Sequence, residues 1–130
     1  MKTLTLLLMD PPYESENTTT ALRIIDAAIR KGHKVRAFAY EGAVNMVMTQ
    51  QKQHPNPVKN QDVTQANHPT TVRAIQALFK KAGGNFEWIS CGMCVDERGA
   101  DFIPEAKRGA PKDFLEWVKT SDNTLVIGTQ

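Results

Sequence analysis

Cysteine is scarce in this chain: two among 130 residues, three positions apart in the stretch FEWISCGMCVDERG, Phe86 to Gly99. So close a pair cannot brace a fold, which excludes a disulfide-stapled secreted domain and predicts a reducing cytoplasm with the pair kept for reactivity. Long apolar runs are missing too. No stretch approaches the roughly 20 residues of a membrane span. The apolar segment Leu4 to Met9 is too short for a signal-peptide core and runs straight into Asp10. An excess of either charge is absent: 16 basic and 14 acidic residues leave a net +2, which predicts neither nucleic-acid nor anionic-membrane binding.

Other absences narrow the chemistry. There is no second CxxC and no paired histidine motif. His33, His54 and His68 are scattered, so a structural zinc site lacks its four ligands. The first candidate strand-to-helix turn, DPPYESENTTT, contains no glycine, and a backbone without glycine cannot approach a pyrophosphate in the GxGxxG manner. Its hydroxyl groups carry only a weak flavodoxin-type phosphate-loop signal. No nucleophile elbow is present. No cofactor and no metal are expected, and what survives is cysteine chemistry.

At 130 residues the chain suits a single domain, residues 1–130, large enough to bury a core without staples. Thr3 to Met9 is an apolar run of strand length, stopped by Pro11 and Pro12 and suited to a strand covered on both faces. Asn17 or Thr18 is predicted to cap a helix that runs to Lys31, with Ala21, Leu22, Ile25, Ala28 and Ile29 on one face and Gly32 at its end. Val35 to Tyr40 is the next strand. Strand, helix and strand within about forty residues make a right-handed βαβ unit with parallel strands, so the class is α/β. Glu41 to Met48 fits a short helix whose methionines pack in a core or a subunit interface. Gln50 to His68 is polar, contains Pro55 and Pro57, and is predicted to be a long mobile loop. Pro69 to Ala82 is an amphipathic helix with a Val72, Ile75, Leu78 and Phe79 stripe, ended by Gly83 and Gly84. The FEWIS strand follows, then the cysteines. GADFIPEAKRGAP is expected to be loop-like, Pro111 to Lys119 a last helix, and Thr124 to Gly128 a closing strand. The expected architecture is a mainly parallel sheet of four to five strands with helices on both faces.

The candidate site is the cysteine turn. Cys91 would end a strand, and a helix beginning at Gly92 would aim its unpaired N–H groups at that sulfur and favour the thiolate, which is the nucleophile. Cys94 would share one face of the first turn. Such a pair can form a disulfide, pass sulfur or bind a soft metal, while the plain alternative is two buried core fillers. Arg98, close behind, would also favour the thiolate or else make a surface ion pair. Asp10 and Tyr13, at the end of the first strand, would reach the same crevice rim if the two strands were neighbours, and Asp10 would then oppose a thiolate. Asp96 and Glu97 suit the helix dipole better than catalysis.

Four features together resemble the DsrE/DsrF/TusD-like sulfur-relay proteins: the loop Asp10 to Tyr13 after the opening strand, the helix ending in KGHKV before a strand ending in FAYEGAVN, the strand-borne cysteine leading to Arg98-Gly99, and the final TLVIG. The resemblance implies a three-layer α/β/α sandwich that assembles as a homo-oligomer, trimer or hexamer. It also implies that Cys91 receives sulfane sulfur and exchanges it with a small TusA-like carrier in the cytoplasm. Cys94 and the longer polar loop depart from the common pattern. Beside the sulfurtransferase reading stand a CxxC disulfide oxidoreductase using Cys91 and Cys94, and a non-catalytic subunit of a sulfur-relay oligomer.

Overall fold

The computed structural model describes residues 1–99 and 101–128. Five strands form one parallel sheet: β1 (Thr3–Leu8), β2 (Lys34–Ala39), β3 (Phe86–Cys91), β4 (Ala106–Gly109) and β5 (Asn123–Ile127). Their spatial order is β4-β3-β2-β1-β5. Helices α1 (Asn17–Arg30), α2 (Val63–Ala66), α3 (Thr71–Ala82), α4 (Gly92–Arg98) and α5 (Pro111–Lys119) make the connections. From β1 to β4 the chain steps along the sheet in one direction, then α5 carries it back across three strands to β5. Because parallel crossovers are right-handed, that reversal puts α5 on the face opposite α1 and α3. The three-layer architecture expected from the sequence is the one observed, and no helix among the described residues is long and apolar enough to cross a membrane.

Strand alternation explains the two faces. Leu6, Ala37, Trp88 and Ala106 are register partners across four strands, all buried, and belong to the main core. The stripe of α1 and α3 packs there, with Ile25 and Ile75 fully buried. Lys81 of α3 pairs with Asp26 of α1 at 2.6 Å. On the opposite face Phe38 meets Phe114 of α5 at 5.8 Å between centroids, Arg36 lies over the Trp117 ring, and Thr5 pairs with Ser121.

Three local expectations change. The first helix is capped by Glu16 without a side-chain hydrogen bond. Asn17 instead turns its amide to Asp10, which ties the loop after β1 to the helix. The GADFIPEAKRGAP segment contains β4, which has almost no sequence signal because Ala-Lys-Arg-Gly is short and poor in strand-forming residues. It is a strand because the open edge of β3 needs backbone partners, and its exposed lysine and arginine blunt the new edge. The polar stretch is also built rather than bare. It holds one turn of 3-10 helix, Pro57–Lys59, and the short α2, capped by Asn56 and Asp62 and ended by left-handed Asn60 and Asn67. Asparagine and aspartate make such turns with their own side chains, independent of any apolar pattern.

The base of that stretch is pinned by one side chain. Gln51 Nε2 donates to the carbonyls of Asn45 and Met46, at 2.8 and 3.1 Å, and its Oε1 accepts from Val72 N–H at 2.9 Å and from the Tyr13 hydroxyl. Gln51 thus joins the end of the 3-10 helix Glu41–Val47 to the first turn of α3. Replacing Gln51 by Ala is expected to cost about 1 kcal/mol net and to speed limited proteolysis within residues 52–70 several-fold, read beside a urea melt.

Candidate functional site

Cys91 is at once the last residue of β3 and the N-cap of α4, with φ −60° and ψ 120°. The strand ends here because the next residue enters the helix. Cys94 follows one turn on, and both cysteines are buried, at 4% and 6% exposure. Met93, between them, is 76% exposed and marks the outer surface of the turn.

Two groups from outside the pair act on Cys94. The Glu41 N–H donates to Cys94 Sγ at 3.1 Å. Glu41 reaches it from the end of β2 in a left-handed conformation, φ 52°, which is costly for a residue with a Cβ. Arg98 donates to the Cys94 carbonyl at 3.0 Å and so caps its own helix while adding positive charge near the sulfur. The Cys94 thiol lies within hydrogen-bond reach of Cys91. Burial pushes the Cys94 thiol up, the bond to Cys91 adds to this, and the Glu41 N–H and the Arg98 charge only partly oppose it. Cys94 therefore holds its proton more firmly than an ordinary thiol.

The raised Cys94 thiol has a measurable outcome. In the folded protein Cys94 should resist alkylation at pH 7 and become reactive on denaturation. The sign of its linkage to stability follows. Above about pH 8.5 an unfolded cysteine releases its proton while the folded Cys94 holds it, so its contribution is full below that pH and falls as pH rises. Cys94→Ser should flatten the alkaline loss of stability relative to wild type.

A third side chain at the turn comes from β4 and has no counterpart among the residues singled out from the sequence. Arg108 brings its guanidinium against Gly92: a Cβ there would stand 2.7 Å from Cζ and Nε and 2.8 Å from Nη2. Gly92 matters for this approach rather than for a special φ. Asp96 holds the same guanidinium in a two-pronged pair at 2.8 and 2.6 Å. The hydrogen bond from Arg108 in turn holds the Asp96 carboxyl below its usual range. This is a different use of Asp96 from the dipole partner read in the sequence. Both side chains are more than half exposed, so the pair orients rather than stabilises. Arg108 escaped the sequence reading because its strand did.

The remaining sequence candidates are elsewhere. β2 separates β1 from β3, so the loop after β1 and Cys91 are not on adjoining strands. Asp10 binds Asn17, and the Tyr13 hydroxyl donates to Gln51 and accepts from Thr71 N–H at 2.9 Å. The point where strand order reverses lies between β1 and β5, the usual ligand crevice of open α/β sheets. Here Met9, Asn17, Thr18, Met46 and Ile127 leave a cavity of about 10 Å³, room for one water at most. Among the described residues no three His, Cys, Asp or Glu side chains converge in a way that could hold a metal ion.

Fold and site together define a parallel α/β/α domain whose chemistry-bearing feature is a buried cysteine pair at a strand-to-helix corner. The chain belongs to the DsrE/DsrF-like family, whose profile matches residues 2–127, a family generally related to sulfur relay. It is 28% identical over 125 residues to an uncharacterised protein of Methanopyrus kandleri, covering 94% of this chain and 91% of the relative. A second uncharacterised protein, from Methanocaldococcus jannaschii, is 28% identical over 126 residues, covering 95% and 97%. The crystal structure of the YchN protein from E. coli superposes with a TM-score of 0.71 at 20% identity, over 98% of this chain and 100% of that one. That likeness concerns the fold.

Proposed function

We propose that this protein is a cytoplasmic sulfurtransferase or sulfur carrier that takes sulfane sulfur onto Cys91, as a persulfide or a thiosulfonate, and passes it to a small TusA-like carrier protein. The observation that carries the reading is the corner itself: one cysteine at a strand end, an arginine against the glycine that follows it, and a second, proton-holding cysteine one turn away. In the persulfide case the Cys91 thiolate attacks the outer sulfur of a donor persulfide, the donor's S–S bond breaks, and the donor leaves as a thiolate. One S–S bond forms as one is lost, so no external oxidant is needed. The Cys94 thiol can donate a hydrogen bond to the loaded sulfur or take part in its release.

Burial of both sulfurs keeps stray thiols away, while exposed Met93 gives a partner an adaptable apolar contact at the turn. Self-association, as a homo-oligomer, is part of the reading. Leu115 and Val118 on α5 and Leu125 and Val126 on the edge strand β5 are exposed apolar residues suited to it. Contact between the two sulfurs also favours one competing reading, a disulfide oxidoreductase that cycles Cys91 and Cys94.

Intact-mass analysis after exposure to polysulfide, thiosulfate or a sulfur-loaded carrier, with and without reductant, separates these. A reducible gain of sulfur is the expected result. Loss of two hydrogens without sulfur gain would replace the carrier by the disulfide enzyme, and no change would leave a non-catalytic subunit.

A further inference from the structure

We infer that Arg108, clamped by Asp96 and seated on Gly92, is the anion-binding residue for the sulfur carried on Cys91, and that this sulfur is held and handed on as an anion. The inference rests on the sulfur-carrier reading and deepens it.

Position supports the assignment. Arg108 is the register partner of Ser90, and its backbone neighbour Gly109 is the partner of Cys91, so the arginine leaves β4 beside the end of β3. Its guanidinium then folds against the residue that follows Cys91. The two groups are close enough to interact: Asp96 first, and Cys91 after it, strengthen the guanidinium's hold on its proton. Nη1 and Nη2 each bond one oxygen of Asp96. A guanidinium has five N–H donors in a fixed fork, so the clamp uses two and fixes the plane while donors remain for a second anion. Lysine could supply the charge but not the shared geometry.

Chemistry gives the arrangement its use. A terminal persulfide ionises more readily than a thiol, and a thiosulfonate carries permanent negative charge. Either would place an anion one sulfur beyond Cys91. A cation at the corner favours that form over the empty thiol, and Asp96 keeps the cation in place without a ligand. Glycine at 92 is what lets it approach. An alanine methyl would displace the flexible end of Arg108 rather than the backbone, so Gly92→Ala moves the guanidinium while leaving both cysteines intact.

The test uses wild type, Arg108→Gln, Arg108→Lys and Gly92→Ala, each loaded with polysulfide. It measures sulfur retained by intact mass, the half-life of the loaded form at pH 7, and the pH profile of its capture by iodoacetamide. Circular dichroism and a urea melt confirm folding. Arg108→Gln and Gly92→Ala should shorten the half-life about tenfold, and Arg108→Gln should move the capture profile to higher pH, with Arg108→Lys between it and wild type. A merely structural arginine would not move that profile. Wild type that loads, with folded variants whose half-life and profile are unchanged, overturns the role of Arg108 and leaves the carrier reading standing. Wild type that takes no sulfur overturns the carrier reading, and this inference with it.

Discussion

Cys91→Ser is expected to reduce sulfur loading to background while the protein remains folded. Serine has nearly the size of cysteine and is a better helix N-cap, so the corner between β3 and α4 should hold or tighten. What it lacks is the polarisable, ionisable sulfur that attacks a sulfane atom, and a hydroxyl at neutral pH does not replace it. Cys94→Ser should still load, because burial and the bond to Cys91 favour the protonated form of Cys94 in the wild type, and a protonated thiol is a poor nucleophile. Intact-mass spectra of the two variants beside wild type read this directly. Loading that survives in Cys91→Ser and vanishes in Cys94→Ser would transfer the role to Cys94.

The largest effect on stability is expected from Trp88→Ala. Trp88 is 1% exposed at the centre of β3, meets Phe86 edge-on at 6.2 Å, and donates its indole N–H to buried Ser90 at 3.0 Å. Phe86 stacks in turn on Phe79 of α3 at 4.4 Å, so the indole backs the contact between that helix and the sheet. Removing a large buried aromatic typically costs about 3–5 kcal/mol, and a domain of this size has only about 5–15 to lose. The variant should be mostly unfolded or melt far below wild type. Trp88→Phe keeps most of the volume but leaves the Ser90 hydroxyl without its donor, and should fall between. Urea midpoints at equal slope give the comparison, and a Trp88→Ala protein as stable as wild type would show that the cavity collapses without cost.

Much of this fold could be read in the chain because its strong elements are periodic. The apolar run of Leu4 to Met9, the α1 and α3 stripes and the short β2 and β3 patterns each state a period and a covered face, and short parallel connections leave little topological choice. The cysteine corner was legible for a related reason: a strand pattern that stops at Cys91-Gly92 and resumes as a helix puts a sulfur at a strand end by local geometry. The weakly patterned parts were not legible in the same way. Residues 50–68 look featureless to an apolar period, yet Asn56, Asp62 and Gln51 organise them through hydrogen bonds that no hydrophobic pattern records. β4 is four residues without strand propensity, made a strand by the edge it completes. With β4 came Arg108, fourteen to seventeen positions from the cysteine turn in sequence and against it in space.

By itself, then, the sequence determined the class, the long helices, the strong strands and the two sulfurs, because these depend on local periodicity. Only the tertiary structure decided which charges stand beside those sulfurs. β2 intervenes between β1 and β3 and withdraws Asp10 and Tyr13 from adjoining positions. Pairing of β4 with β3 supplies Arg108, and the turn at Glu41 supplies an N–H to Cys94. Electrostatics at a site depends on distance through space, and that distance is set by strand order and side-chain packing rather than by separation along the chain.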